Sequence, residues 1–278
     1  MKRWSLSQNI LTVFLNKMKQ SIGLIILQFF GIILGFISVF YVAGSLTPEV
    51  YAVVGVYTVI STVIVVFSNT GLETYAIRNV LAWKEIGEND KIKLIITQAI
   101  VYRTILAGLI VMPIIGYAIY MSKQKFDGQY LELFIFMGIM GIINATNDAT
   151  ILSLRAFNKY FSAALATYSV NVFGRLLALV LFVKFGFNTY IYTIIFLPLV
   201  ITIPTIFMLK EWLSMRGVFQ KANLIESFKK SKSFGLAAYF SYAFNYFDQL
   251  IISIFMSAEI LGAFTVGKSL FFVSESKL

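Results

Sequence analysis

Basic side chains lie within stretches of sequence that are otherwise apolar, and they are the residues most able to do chemistry. They are Arg103, Arg175 and Lys268. A charge at the centre of a membrane costs about 2.5–3.5 kcal/mol, so such a residue tends to face an aqueous cavity or a partner. The guanidinium fork of arginine matches the geometry of a phosphate. We therefore expect these three residues to line a common water-filled cavity that attracts an anion.

Three further polar residues lie within the apolar stretches and are candidates for the same pathway. Asp148 and Asp248 carry carboxylates that could tune the occupancy of the cavity, and Asn171 precedes Arg175 by one helical turn. Structural roles are the alternatives. Asp148 could pair with an arginine across helices, and Asn171 could hydrogen-bond a neighbouring helix. Lys268 could extend to the outer surface.

Two charged residues lie at the end of the second apolar stretch, Glu73 and Arg78. At that place an apolar helix would meet the lipid headgroups. We interpret the two residues either as anchors at the membrane surface or as gate residues of the pathway.

The residues that most enzymes use are missing. The chain has no cysteine and no histidine, so it lacks a thiolate nucleophile, the usual general base and the commonest transition-metal ligands. Its acidic residues are scattered singly, and neither a Gly-Lys-Ser/Thr phosphate loop nor an HExxH motif is present. We predict a protein that is not an enzyme, with no catalytic residue, metal site or cofactor.

Long apolar stretches supply the elements that position the charged residues. The chain is 59% hydrophobic with a mean hydropathy of +0.82. About 20 helical residues cross a hydrocarbon core of about 30 Å. We therefore predict an all-α polytopic membrane helix bundle of eight spans, at residues 21–46, 50–72, 93–121, 130–152, 162–186, 189–209, 234–256 and 260–274.

The distribution of basic residues predicts the orientation. If the N-terminus is cytoplasmic, sixteen lysines and arginines lie in cytoplasmic segments, whereas the opposite side has only Lys123, Lys125 and Lys184. This asymmetry follows the positive-inside rule. The net charge of +10 then faces anionic inner-leaflet lipids and needs no nucleic acid. We expect a multi-pass protein of the bacterial cytoplasmic membrane.

A weak internal repeat begins again near residue 213. Residues 1–19 and 218–232 are both basic amphipathic segments followed by a predicted span. The second predicted span opens with Pro48-Glu49-Val50 and the eighth with Ala258-Glu259-Ile260. We therefore expect a first six-helix lobe at 1–212 and, at 213–278, an interfacial helix with the first two helices of an incomplete second lobe.

Several motifs resemble those of the Wzx-type polysaccharide exporters of the MOP superfamily. These motifs are "SLTPEVYAVVGVYTVI", "NTGLETYAIRNV" and "NYFDQLIISIFMSAEILGAFTVGKSL". The matched positions are Gly71, Glu73, Arg78, Asp248, Glu259 and Gly262. The resemblance implies two lobes around a central cavity and the flipping of an undecaprenyl-diphosphate-linked oligosaccharide by alternating access, for O-antigen, lipopolysaccharide or capsule synthesis. The implied partners are this lipid-linked substrate, membrane lipids and a coupling ion.

Three other functions stay open. A peptidoglycan lipid-precursor flippase would also use cationic cavity residues. A cation-coupled multidrug exporter of the same superfamily would carry an acidic residue in its first span, and residues 21–46 have none. A polytopic glycosyl-polymerising enzyme would need a long outward loop, whereas the longest predicted one is only Ser122 to Gln129.

Overall fold

All elements are helices in a computed structural model of the chain, which confirms the predicted fold class. The structure describes the backbone of residues 2–275 and the side chains of residues 22–169, 172–242 and 244–270. The helices are α1 (Lys2–Gly44), α2 (Pro48–Phe67), α3 (Leu72–Glu85), α4 (Asn89–Lys125), α5 (Leu131–Ala156), α6 (Tyr160–Tyr168), α7 (Arg175–Phe185), α8 (Phe187–Leu209), α9 (Lys221–Phe255) and α10 (Ala258–Glu275). A π-helical segment, Ser169–Gly174, joins α6 to α7, and a 3₁₀ turn, Lys210–Trp212, follows α8.

Six helical stretches in the described part of the chain are long and apolar enough to cross a membrane. They are Ile22–Gly44, Pro48–Phe67, Asn89–Lys125, Leu131–Ala156, Tyr160–Phe185 and Phe187–Trp212. They correspond in order to the first six predicted spans. The seventh and eighth predicted spans fall on α9 and α10 but are not among these six.

The second predicted span is too long at its end, because the chain turns sharply after Phe67. The side chain of Asn69 accepts a hydrogen bond from the Gly71 amide at 2.8 Å, and Gly71 has a φ of +75°. That conformation is favourable for glycine and strained for other residues. A separate helix, α3, then begins at Leu72, which hydropathy alone does not predict.

The two basic amphipathic segments are continuous with the predicted spans that follow them. Residues 2–19 continue without a break into the first span within α1, and residues 221–232 continue into the seventh within α9. The side chains of residues 1–21, including the basic residues of the first segment, lie outside the described residues. The division into two lobes stays a prediction.

The central helices are α2 and α5, which contribute to a core shared with α4, α8 and α10. Ile60 and Ile64 of α2 and Phe134 and Met137 of α5 are fully buried in it. Helix α10 lies against α2 at very short range. A Cβ atom on Gly262 would lie 1.7 Å from the carbonyl oxygen of Pro48, so only glycine permits this approach.

Replacing Gly262 with alanine should therefore loosen α10 from α2. The new methyl group meets backbone that cannot rotate away, and overpacking of this kind costs about 1–3 kcal/mol. We expect Gly262→Ala to lower the melting temperature of the detergent-purified protein by several degrees, measured by size-exclusion chromatography after heating. Gly267→Ala is the matched control on the same helix, because a Cβ atom there has nothing within 4 Å. If Gly262→Ala and Gly267→Ala had the same melting temperature, the close packing of α10 on α2 would be contradicted.

Candidate functional site

Arg103 lies at the centre of a buried polar cluster between four helices. From α4, it donates to Glu73 of α3 at 2.8 Å and to Asp148 of α5 at 2.5 Å. It also donates to the backbone carbonyl of Val65 in α2 at 3.0 Å. The Arg103 side chain is only 1% exposed, whereas that of Asp148 is 43% exposed.

The contacts of Arg103 differ from the arrangement that its sequence position led us to expect. Its guanidinium group is occupied by two carboxylates and a carbonyl, and it does not line the cavity that contains Arg175. The alternative role of Asp148, pairing with an arginine across helices, is the arrangement observed. Removing one member of a buried ion pair typically costs about 3–5 kcal/mol, because the remaining charge is left buried and uncompensated. Arg103 therefore ties four helices together.

Glu73 and Arg78 have different environments although both lie on α3. Glu73 is fully buried and bound to Arg103, so it is not a surface anchor. Arg78 is exposed, and its guanidinium carbon lies 4.6 Å from the centre of the Phe234 ring on α9. A cation–π contact of this kind joins α3 to α9. A gate role for either residue stays a prediction.

Lys268 and Asp248 form an ion pair between α10 and α9. The ammonium group of Lys268 also lies 5.2 Å from the ring centre of Tyr246 and 5.5 Å from that of Phe264. Neither member of the pair lines the cavity that contains Arg175. The side chain of Asn171 lies outside the described residues, so its predicted role is not addressed by the structure.

Arg175 lines a cavity of about 570 Å³. Its walls come from α1, α2, α5, α6, α7 and α8, with Tyr246 of α9 and Ser269 of α10 on one side. The cavity thus lies between the predicted first lobe and the two helices assigned to the second. Of the five predicted pathway residues whose side chains the structure describes, only Arg175 is among those that line it.

The lining mixes polar and apolar residues and carries one charge among its described residues. Arg175 is the single charged residue among the described residues of the wall, and it makes no ion pair with any of them. Neutral hydrogen-bonding groups accompany it: Gln28, Ser38, Tyr51, Tyr57, Thr58, Asn144, Tyr168, Tyr190, Tyr246 and Ser269. A cavity with one fixed cation and many hydroxyl and amide groups suits an anion that carries polar, hydroxylated groups.

The backbone immediately before Arg175 is irregular. Residues Ser169–Gly174 form a π-helical segment, a distortion that is frequent at functional sites. A Cβ atom on Gly174 would lie 1.7 Å from the side chain of Leu197, so this segment packs closely on α8. The wider turn sets the direction in which α7 begins, and with it the position of Arg175.

Sequence reasoning missed the tyrosines of the cavity. Tyr51 and Tyr190 are 2% and 6% exposed, and each opens one of the helices that form the wall. Their position within the first turn of an apolar helix was the available signal. It was weak, because tyrosine there is also typical of a membrane interface.

Comparison with known protein families matches residues 18–278 to the family described as "Polysaccharide biosynthesis protein". No match was found among curated proteins or among solved structures. The match covers nearly the whole chain and confirms the resemblance found in the motifs. With its helices that can cross a membrane and its polar cavity between them, the chain belongs to the polysaccharide biosynthesis protein family, the family of the Wzx-like flippases, and is a multi-pass membrane protein.

Proposed function

We propose that this protein moves a lipid-linked oligosaccharide with a diphosphate linkage across the bacterial cytoplasmic membrane, for the synthesis of a surface polysaccharide such as O-antigen or capsule. The observation that carries the proposal is the cavity around Arg175, which has one unpaired cation and no carboxylate among its described lining residues. Family membership supports a sugar-bearing substrate. A transporter of this kind would need neither catalytic residues nor a cofactor.

The electrostatics of the cavity fit a diphosphate. A phosphate group in a low-dielectric path costs several kcal/mol if it is unpaired, and a fixed guanidinium offsets that cost. Arg175 would hold the diphosphate through paired hydrogen bonds. The tyrosine hydroxyls and Asn144 would hydrogen-bond the hydroxyl groups of the first sugars.

Alternating access would require the predicted lobes to separate at one end of the bundle at a time. At one end, Tyr239 of α9 donates to the carbonyl of Asn69 at 3.0 Å. At the other end, Tyr120 of α4 donates to the carbonyl of Ile254 at 3.1 Å, and Lys125 to that of Met256. Opening either end would break these hydrogen bonds, each of which is worth about 0.5–1.5 kcal/mol net.

Other transport functions fit the cavity less well. A cation-coupled drug exporter would need a carboxylate facing the pathway from the first span, but α1 contributes only neutral residues to the described wall, with Gln28 and Ser38 as its polar ones. A peptidoglycan lipid-precursor flippase shares the diphosphate chemistry, and the same cavity would serve it. We favour the surface polysaccharide because of the family.

The orientation that we propose places the N-terminus, α3 and residues 213–220 in the cytoplasm. The segments at this end of the bundle carry Lys84, Lys91, Lys93, Lys159 and Arg216, as the positive-inside rule requires.

Replacing Arg175 in the native gene should block export without unfolding the protein. A hydrogen bond to a charged group is worth about 1.5–3 kcal/mol, so Arg175→Ala should reduce surface polysaccharide about tenfold or more. Arg175→Lys should restore only part of it, because lysine keeps the charge and loses the paired donors. Quantification of surface polysaccharide alongside membrane protein levels measures both effects.

The matched control is Lys184→Ala, which removes a cation from the exposed end of the same helix. It should leave export and protein level unchanged. Normal export by Arg175→Ala, or an equal loss in Lys184→Ala, would contradict the assignment of Arg175.

Single cysteines test the orientation cleanly because the natural sequence has none. Gln124, Ser257, Glu85 and Lys229 are all exposed. We expect a membrane-impermeant maleimide to label Gln124→Cys and Ser257→Cys in intact cells, and to label Glu85→Cys and Lys229→Cys only after the membrane is opened. The reverse pattern would show that the bundle is inserted the other way round.

A further inference from the structure

A second cavity, of about 460 Å³, lies at the end of the bundle opposite the contact between Pro48 and Gly262. Its walls come from α3, the first turns of α4, residues 214–220 and the first turns of α9. Four basic residues line it, against two acidic ones: Lys91, Lys93, Arg216 and Lys230, and Asp90 and Glu226. The excess of basic residues gives this cavity a positive potential. None of these residues belongs to the cavity around Arg175.

Two of the four basic residues form only weak, exposed ion pairs. Lys91 pairs with Glu88 at 2.8 Å and Lys230 with Glu226 at 2.5 Å, and all four side chains are at least 41% exposed. The hydrogen bond from Lys230 lowers the pKa of Glu226, and the same bond raises the pKa of Lys230, so both stay charged at neutral pH. Exposed pairs of this kind are worth little and exchange partners readily.

The other two, Lys93 and Arg216, form no ion pair within the described part of the chain. Both line the cavity, Lys93 from α4 and Arg216 from the segment between α8 and α9. Two cations without a carboxylate partner, on facing elements, leave the cavity able to take an anion.

The backbone of the segment that carries Arg216 is held in place on both sides of that residue. The backbone amide of Ser214 donates to the hydroxyl of Thr97 in α4 at 2.9 Å. Val218 is fully buried, and its carbonyl accepts hydrogen bonds from Gln98, at 3.2 Å, and from Tyr102. The segment that carries Arg216 is therefore pre-organised, which reduces the entropy lost when a ligand binds.

Aromatic residues that are typical of the depth of lipid headgroups line this cavity. Trp83 and Tyr75 line it, with ring centres 5.7 Å apart in an edge-to-face contact. Tryptophan and tyrosine are enriched where the hydrocarbon core meets water. The neutral donors Gln220 and Asn223 complete the wall.

We propose that this cavity binds the phosphate group of an anion at the membrane surface, with Lys93 and Arg216 as its main contacts. The anion is either the headgroup of an anionic phospholipid or a soluble phosphate compound. A phosphate bound there contacts α4 and the segment that leads into α9, so it stabilises the conformation in which these elements lie together. The proposal of this phosphate site rests neither on the proposed transport function nor on the role of Arg175.

Equilibrium binding to the purified protein tests the proposal with two probes: radiolabelled inorganic pyrophosphate in solution, and phosphatidylglycerol in detergent micelles with phosphatidylcholine for comparison. We expect saturable binding of at least one phosphate probe. The double variant Lys93→Gln/Arg216→Gln should weaken it about tenfold or more, because it removes both cations that form no ion pair among the described residues of the cavity. Arg216→Gln alone, at an exposed position, should weaken it less and gives a second variant if the double one does not fold.

The matched control is Lys159→Gln/Lys229→Gln, which removes two exposed cations from the same end of the bundle outside the cavity. Binding of phosphatidylglycerol alone would assign the site to a lipid headgroup, and binding of pyrophosphate would assign it to a soluble phosphate. Either result supports the proposal if the control variant binds normally. Equal weakening in the control, or no saturable binding of either probe, would overturn it.

Discussion

The burial of the Arg103 guanidinium constrains the helices around it more than any other interaction described in the structure. A charge that is almost completely removed from solvent must be compensated locally, and Arg103 is compensated by Glu73, Asp148 and the carbonyl of Val65. These partners belong to three helices other than its own. Through these contacts Arg103 links α4 to α3, α5 and α2.

Because Arg103 binds Asp148, that carboxylate is not available to Arg175. Asp248 is engaged in the same way by Lys268. The cation in the larger cavity therefore stays without a carboxylate partner among the described residues, and the polar groups of the wall around it are neutral hydroxyl and amide groups. In the proposed function the charged residues within the bundle have two separate tasks. Paired charges hold helices together, and the unpaired charge meets the substrate.

Hydropathy predicted most of the fold because each membrane span must satisfy its backbone hydrogen bonds internally and present apolar side chains to lipid. It could not predict α3, which mixes charged and apolar residues and whose start depends on the turn at Gly71. It also could not predict the π-helical segment before Arg175, because hydropathy does not distinguish a π-helical turn from an α-helical one.

The candidate site was predicted less completely than the fold. Sequence identified the charged residues inside the spans but not which of them meet, because pairing depends on the rotation of each helix about its axis. Arg103 and Arg175 look equivalent along the chain, each about ten residues into an apolar stretch. The structure separates them by what lies opposite each one: two carboxylates for Arg103, and a cavity with tyrosines for Arg175.

The division of labour between the two arginines is the central claim, and the thermal stability of two purified variants tests it most directly. Arg103→Ala leaves Glu73 buried without its partner and should lower the melting temperature by roughly 10 °C, from a cost of about 3–5 kcal/mol. Arg175→Ala should melt within about 2 °C of the unsubstituted protein, because it leaves no carboxylate unpaired. If Arg103→Ala melted at the temperature of the unsubstituted protein, the structural role of Arg103 would be contradicted. If Arg175→Ala melted roughly 10 °C lower, the separate role of Arg175 would be contradicted.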